Sequence, residues 1–584
     1  MMDDVNGLLN EGLKLLNEEK YAEIIERANQ FLDGITDKST SIHAQIFAQS
    51  LLGCCYFEQA KRTEYEDEAE ELFEKAIKHF QERVELNKQL TDGNKQDLIP
   101  DQIRAQFWLG YCYFEQAKKT EDTDKAGELF GLAVGHYQQR LQLAKQLTNE
   151  QNGILQQISA QIDLGRCYLE QIKRSKSISE AEKFVKQAGE KFSAAYEQLS
   201  QLSDEKEKNV WEKIIRPGLR DSYYLNENWH SYFEKKKQEI QESLFKGKTS
   251  QPQDAVATVL AVLHIPPIEL GFTPMAHYTS PHVCHILFGI GGNETASPMR
   301  LSSSTYMNDP SEGKALLDLL NQQDLELENK ADGESHNAFF TCFSSRVNDL
   351  NQFRLYGKED GVEASGCCLV FNKNGDWLRE ADVSVPFSGL SEMSGQGSDD
   401  LPKADKYEKL PLYQVAYIAY KDEYIAEKKC GIWFPSQEEP KFGIRLKPVG
   451  NEDWHQFRLG KLKEALEALI GFFEDKSAVS DDDKEALEYI RYLFKDFAFR
   501  DEEEFRLLVI KPIDSEEIEY CETTQSVYIP YADIWNRADE VILGTNYEKT
   551  GNQRKAEVFR YQMKQKCPDV KVSRSTLPIN PPNK

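Results

Sequence analysis

The sequence predicts a multidomain chain: an all-α helical-repeat solenoid over residues 1–246, a connector over residues 247–271 and an α+β domain over residues 272–580. Three observations carry this expectation. The first third repeats itself with a long period. After a Gly/Ser/Pro/Gln stretch the composition shifts to short β-branched and aromatic runs between turn signals. A chain of 584 residues also exceeds one core, at about 150 residues per domain.

The repeat is visible by eye. "LLGCCYFEQAKRTEYEDEAEELFEKAIKHF" is followed by "WLGYCYFEQAKKTEDTDKAGELFGLAVGHY" and, more loosely, by "DLGRCYLEQIKRSKSISEAEKFVKQAGEKF". The glycines of the "LG" pairs, Gly53, Gly110 and Gly165, stand 57 and 55 residues apart. Each unit reads as two amphipathic helices, with the small Gly allowing a neighbouring helix to approach and Tyr56, Tyr113 and Tyr168 recurring at one position. Such pairs bury their apolar stripes only by stacking. The pattern resembles tetratricopeptide repeats with longer helices and connectors, which implies a surface for a protein or peptide partner. Cys55, Cys112 and Cys167 recur two residues after each Gly. They read as buried packing residues, because cysteine behaves as a small hydrophobe.

"GKTSQPQDA" marks the connector. Beyond it the expected strands are residues 275–279, 299–307, 338–344, 366–371, 413–420, 505–510, 526–531 and 540–545. Expected helices are Pro281 to Phe288, Pro310 to Leu320, "GKLKEALEALIGFFED", "DDDKEALEYIRYLFKDF" and "QRKAEVFRYQMKQ". Strands and helices mixed without strict alternation indicate α+β. In "STYMNDPSEG", Asp309, Pro310 and Glu312 fit a helix-capping arrangement before "KALLDLL". "SEMSGQGSDDLPKADKYEK" reads as a polar loop and "TLPINPPNK" as a frayed tail.

A net charge of -27 opposes general attraction to nucleic acid or anionic membrane, although Arg554, Lys555, Arg560, Lys564 and Lys566 form a local basic patch. No apolar run approaches the roughly 20 residues of a membrane span, and "MMDDVNGLLNEG" lacks a signal-peptide pattern. Eleven scattered cysteines without C-x-x-C suit reduced thiols. A cytoplasmic location is the expectation.

"HYTS", "RLSSSTYMNDPSEG", "CFSSRVNDLNQFRLYGKEDG", "FRDEEEFRLL" and "VILGT" ending in "VKVSRSTLPI" resemble, in order, the hallmarks of a large bacterial family of domains of unknown function. The resemblance covers roughly residues 272 to 580, with Phe353 and Phe505 where that family often has Trp. A weaker likeness is to the ADP-ribosyltransferase fold, which implies NAD as the substrate. Breaking its glycosidic bond develops a cation that a fixed carboxylate stabilises. On that resemblance Glu504, His277 and Tyr306 are the catalytic candidates: carboxylate, ribose ligand and nicotinamide-stacking ring. Tyr278, Thr279 and Ser302 adjoin them, Tyr356 lines the pocket, and Arg300, Arg346, Arg354 or Arg506 neutralises the pyrophosphate.

Glu502, Glu504 and Arg506 alternate along a strand and so face one side. Glu504 with Arg506 also reads as a plain salt bridge. His282, Cys284 and His285 crowd one helix without enough further ligands for a metal. Three functions stay open. One is an NAD-consuming effector, of toxin or antiphage type by fold analogy, whose repeats bind a partner, a regulator or further copies of the chain. Another is a non-enzymatic sensor or adaptor. The last is a metal-dependent hydrolase or nuclease using Asp309, Glu312, Glu502 and Glu504. The macromolecular acceptor is left open, and nucleic acid is not excluded by the local basic patch.

Overall fold

The computed structural model describes residues 20–579 apart from 34–41, 64, 90–94, 148–149, 248, 267–268, 270–272, 294, 307–310, 326–335, 372–409, 421–441, 475–478, 523, 535–536 and 551–553. Asp309, Pro310, the polar loop expected at 391–409 and the last residues of the tail therefore lie outside the described residues, as does the side chain of Tyr306. The chain divides into two compact units, one ending at Tyr232 and one beginning at Phe233.

The first unit is helical: α1 (Tyr21–Asp33), α2 (Ile42–Arg62), α3 (Glu66–Gln89), α4 (Lys95–Lys119), α5 (Thr123–Ala144), α6 (Glu150–Lys173), α7 (Ile178–Gln198) and α8 (Glu205–Leu225), with α9 (Trp229–Phe245) crossing the boundary. The pairs α2 with α3, α4 with α5 and α6 with α7 stack in sequence order. The recurring glycines explain the pairing. A Cβ at Gly53 would stand 2.6 Å from the Phe80 ring, at Gly110 2.8 Å from Tyr137 and at Gly165 2.7 Å from Phe192. Each glycine thus seats one ring of the second helix. Cys55, Cys112 and Cys167 are buried thiols of this core. The recurring tyrosines have a partner that the sequence reading missed: Tyr56 stacks on His79 and Tyr113 on His136, each at 5.5 Å, and the imidazoles bond Gln49 and Gln106.

The second unit begins with a difference from expectation. Residues 251–263 of the expected connector form helix α10 (Gln251–Leu263), which Ser250 starts through a capping box. All residues from Ala255 to Leu263 are buried, so the helix has no polar face for a periodicity argument to detect. The strands follow: β1 (Met275–Thr279), β2 (Met299–Ser303), β3 (His336–Ser344), β4 (Cys367–Phe371), β5 (Leu412–Gln414), β6 (Ala416–Tyr420), β7 (Phe442–Arg445), β8 (Phe494–Asp496), β9 (Glu504–Pro512), β10 (Glu519–Cys521), β11 (Ser526–Ala532), β12 (Glu540–Leu543) and β13 (Lys571–Arg574). The helices are α11 (Pro281–Phe288), α12 (Lys314–Leu320), α13 (Leu350–Leu355), α14 (Glu452–Glu474), α15 (Asp481–Glu485) and α16 (Lys555–Lys566).

Among the described residues, ten strands form one sheet in the order β10-β11-β2-β3-β1-β4-β12-β13, with β9 joining β3 to β5, while β7-β6-β8 form a second. One face of the large sheet, through Phe340 and Leu508, packs in a core with α10, α12 and α14. The other, through Phe339, Phe343, Phe505 and Leu507, packs with α11 and α16.

Four further expectations change. Residues 413–420 are two strands in two sheets, parted at Val415, whose N–H reaches the Glu504 carbonyl at 3.0 Å. The helix expected over residues 481–497 is α15 followed by 3-10 turns and β8. Tyr492, Leu493 and Phe494 are consecutive and all buried, which a one-sided helical stripe does not allow. Helix α12 starts at Lys314 behind a left-handed Gly313 without a side-chain cap, so Glu312 is not a capping residue. Ile579 of the expected tail is buried, and Leu577 packs with it against Ala276, Tyr278 and Phe353.

Candidate functional site

The segments "RLSSSTYMNDPSEG", "CFSSRVNDLNQFRLYGKEDG" and "FRDEEEFRLL" meet at Glu502–Arg506, through Glu312, Ser344 and Tyr356. Register between β3 and β9 sets Cys342 opposite Arg506, Phe343 opposite Phe505 and Ser344 opposite Glu504. Arg506 Nε and Nη2 donate to the two Glu504 carboxylate oxygens at 2.8 and 3.0 Å. Its Nη1 and Nη2 also grip Glu312 in a bidentate pair, both at 2.8 Å. Lys495 Nζ, from β8, donates to Glu502 at 2.7 Å and Glu504 at 3.2 Å and lies 3.3 Å from Glu312. Tyr356 donates its hydroxyl to Glu502 at 2.6 Å, and Tyr417 accepts the Glu504 N–H at 3.0 Å.

Three carboxylates thus surround one ammonium and one guanidinium, all five groups buried. Burial pushes the Glu504 carboxyl upward, but Arg506 and Lys495 outweigh it and hold the pKa at about 2. Burial lowers the Arg506 and Lys495 values, and the glutamates more than reverse that, leaving both raised. The Tyr356 hydroxyl is raised by burial and then by Glu502.

The backbone at Glu503 makes the convergence possible. Its left-handed conformation, φ 43°, turns Glu502 and Glu504 to the same cluster and sends its own side chain elsewhere. There it accepts from Ser345 at 2.7 Å and Arg346 at 3.2 Å and pairs with Lys447. Ser344 donates to the Glu502 carbonyl at 2.7 Å, and Tyr278 bridges the next turn, donating to the Arg346 carbonyl at 2.6 Å and accepting from Asp349 N–H at 2.9 Å. Every segment from "HYTS" to "EEEFR" therefore contributes to one hydrogen-bonded assembly.

Of the residues expected at an NAD site, Glu504, Arg506 and Tyr356 meet in the cluster. Arg300 and Ser302 share its face of the sheet. Ser302 stands opposite Phe340, over whose ring Arg506 lies at 4.5 Å, while Arg300 lies 4.0 Å above Tyr528. His277 does not join them. Ala276 is the residue of β1 paired with Ser344 on the cluster's face, so His277 and Thr279 point to the other. There the His277 ring sits 5.7 Å from Phe343, with Nδ1 2.9 Å from the Cys342 carbonyl oxygen. Burial lowers its pKa. Arg354 pairs at the surface with Glu363 at 3.2 Å, and Tyr306 ends the 3-10 turn after β2. His277 and Glu504 thus stand on opposite faces, and the residues do not form one cradle for NAD.

Lys495 is the residue the sequence reading missed. Its signal was a single cation inside the apolar run "YLFKDF". Where the metal reading needs an ion, an ammonium already stands among Glu312, Glu502 and Glu504. No group of three or more His, Cys, Asp or Glu among the described residues is placed to hold a metal. His282 is exposed, and His285 stacks on Phe559 at 5.6 Å.

The helical unit offers a surface of another kind. A groove lies between α4 and α6, lined by Pro100, Ile103, Arg104, Leu147, Asn152 and Gln156. Arg140, from α5, holds Gln156 of the lining by donating to it at 2.9 Å and to Asp163 at 2.7 Å. The Sel1 repeat family matches residues 46–79, 103–134 and 158–191, the three helix pairs α2/α3, α4/α5 and α6/α7. The array is therefore a Sel1 solenoid, a tetratricopeptide-like architecture that commonly binds protein. No curated protein matches the chain. No described helix is long and apolar enough to cross a membrane.

Proposed function

We propose that this chain is a protein-binding adaptor in which the Sel1 array captures a partner and the α+β unit serves as a rigid, ion-paired module. The observation that carries this is the groove between α4 and α6, where Pro100, Ile103 and Leu147 give an apolar floor and Arg104, Asn152 and Gln156 a polar rim. An apolar centre with a polar margin is the usual anatomy of a protein interface. The test is capture of partners by the full chain, with identification by mass spectrometry, against Asn152→Arg, which fills the groove from an exposed position. Partners lost with that variant, at unchanged circular dichroism, support the reading. An identical set of partners would sink it.

A second reading gives the α+β unit an NAD-consuming activity, as its resemblance to ADP-ribosyltransferases implies. In its favour is the meeting of Glu312, Ser344 and Tyr356 with Glu502–Arg506, with Tyr356 at the exposed margin. Both Glu504 oxygens are occupied by cations and His277 faces away, so turnover would require that cluster to open. Incubating the full chain with labelled NAD, alone and with any captured partner, decides this. Consumption abolished by Glu504→Gln but retained by Glu517→Gln, which removes a surface carboxylate paired with Lys511, would support it, and no consumption under either condition would end it.

A further inference from the structure

The basic segment near the C-terminus is not absorbed by either reading, and the structure sorts four of its five cations. Lys555 turns inward to Glu359 at 2.6 Å and Thr550 at 3.3 Å, and Lys566 is bound to the Gly289 carbonyl. Arg560 and Lys564 stay on the exposed side of α16 and carry no ion pair among the described residues; Lys564 has the Pro568 carbonyl at 3.4 Å. One turn apart, they form one edge of that face. The other edge is apolar: Val558 is 50% and Tyr561 67% exposed. Helix α11 packs against the buried side of α16 through the His285–Phe559 stack. Ala556, Phe559 and Met563 hold the opposite side of α16 in the core.

We infer that this face of α16 is a second docking surface, taking an acidic segment of a partner protein that sets carboxylates against Arg560 and Lys564 and an apolar side chain against Val558 and Tyr561. Charge complementarity selects that occupant. In a chain of net charge -27 an exposed cationic edge attracts carboxylates over short range only, and a long polyanion meets the repulsion of the rest of the molecule. Glu557 on the same face interrupts any continuous phosphate track. Two exposed apolar side chains offer nothing to a phosphodiester but match a leucine or phenylalanine, and Tyr and Arg are favoured anchors in protein interfaces.

The experiment selects a random peptide library displayed on phage against the immobilised full chain, then titrates fluorescent copies of the selected peptides. Peptides rich in Asp and Glu around Leu or Phe are expected. Their affinity should fall roughly tenfold in the double variant Arg560→Glu with Lys564→Glu, as an attractive interfacial pair becomes repulsive. It should also fall with Tyr561→Ala and with added salt, and be unchanged by Asn152→Arg. Selected peptides indifferent to the α16 variants would overturn the inference. So would a single-stranded DNA oligonucleotide, rather than a peptide, whose binding those variants abolish.

Discussion

Arg506 holds two carboxylates without exposure to solvent, and that arrangement fixes what its removal costs. A buried ion pair adds little over a well-packed apolar substitute, whereas breaking one side leaves an uncompensated charge worth roughly 3–5 kcal/mol. Glu504→Gln removes one of three carboxylates that face two cations, so Glu312 and Glu502 still balance Arg506 and Lys495, and the unfolding free energy from urea titration should fall by roughly 1.5–3 kcal/mol for the charged hydrogen bonds lost. A shift near zero would show that the cluster relaxes around the loss. The pH dependence has a definite sign. Glu504 is held at about 2 in the folded chain against an ordinary 4.5. Its contribution is therefore complete above about 4.5 and is lost as the pH falls toward 2. The stability gap between the parent chain and Glu504→Gln should stay constant from neutral pH to about 4.5 and narrow below it. Urea titrations of both proteins across that window measure it. Glu502, Glu504, Arg506 and their shared side were legible in "EEEFR", but the parts taken by Glu312 and Lys495 and the face taken by His277 were not. His277 and Glu504 belong to strands that do not pair with each other, and only the register through β3 sets them on opposite sides.

At the level of elements, legibility followed how one-sided each was. Strands β1, β9 and β12 stand nearly where β-branched and aromatic runs placed them, because such runs between turn residues have few competing structures. Helix α10 was hidden by burial on all sides. The segment 481–497 was misread because its helix-like composition is overridden by tertiary packing around Lys495. The repeats were the clearest element, and they give a paired prediction. Gly110 in α4 faces Tyr137, 2.8 Å from where a Cβ would sit, while Gly131 in α5 has nothing within 4 Å of its own. Gly110→Ala should destabilise by about 1–3 kcal/mol through overpacking. Gly131→Ala should stabilise by roughly 0.5–1 kcal/mol, since only the backbone entropy of glycine is removed. Thermal unfolding of the two variants separates the cases, and shifts of the same sign would contradict the packing assigned to the "LG" glycines.

For the whole molecule the largest long-range term is self-repulsion from a net charge of -27. Two classes of electrostatic interaction respond differently to salt. Exposed charges are separated mainly by water, and screening shortens their reach from about 30 Å at 0.01 M to about 8 Å at 0.15 M salt. The pairs of the buried cluster, such as Lys495 with Glu502 at 2.7 Å, have no intervening solvent and are screened far less. Surface ion pairs such as Lys125 with Glu70 at 2.6 Å are weakened too, but water already screens them, so each contributes little to stability. The excess of acidic groups should therefore decide the sign, and sodium chloride should raise the thermal midpoint over that range. The decrement caused by Glu504→Gln should at the same time be nearly independent of salt, because it arises where the ions do not reach. A midpoint that falls with salt would mean that surface pairs outweigh the net repulsion, and a decrement that shrinks with salt would mean that the Glu504 cluster is open to solvent.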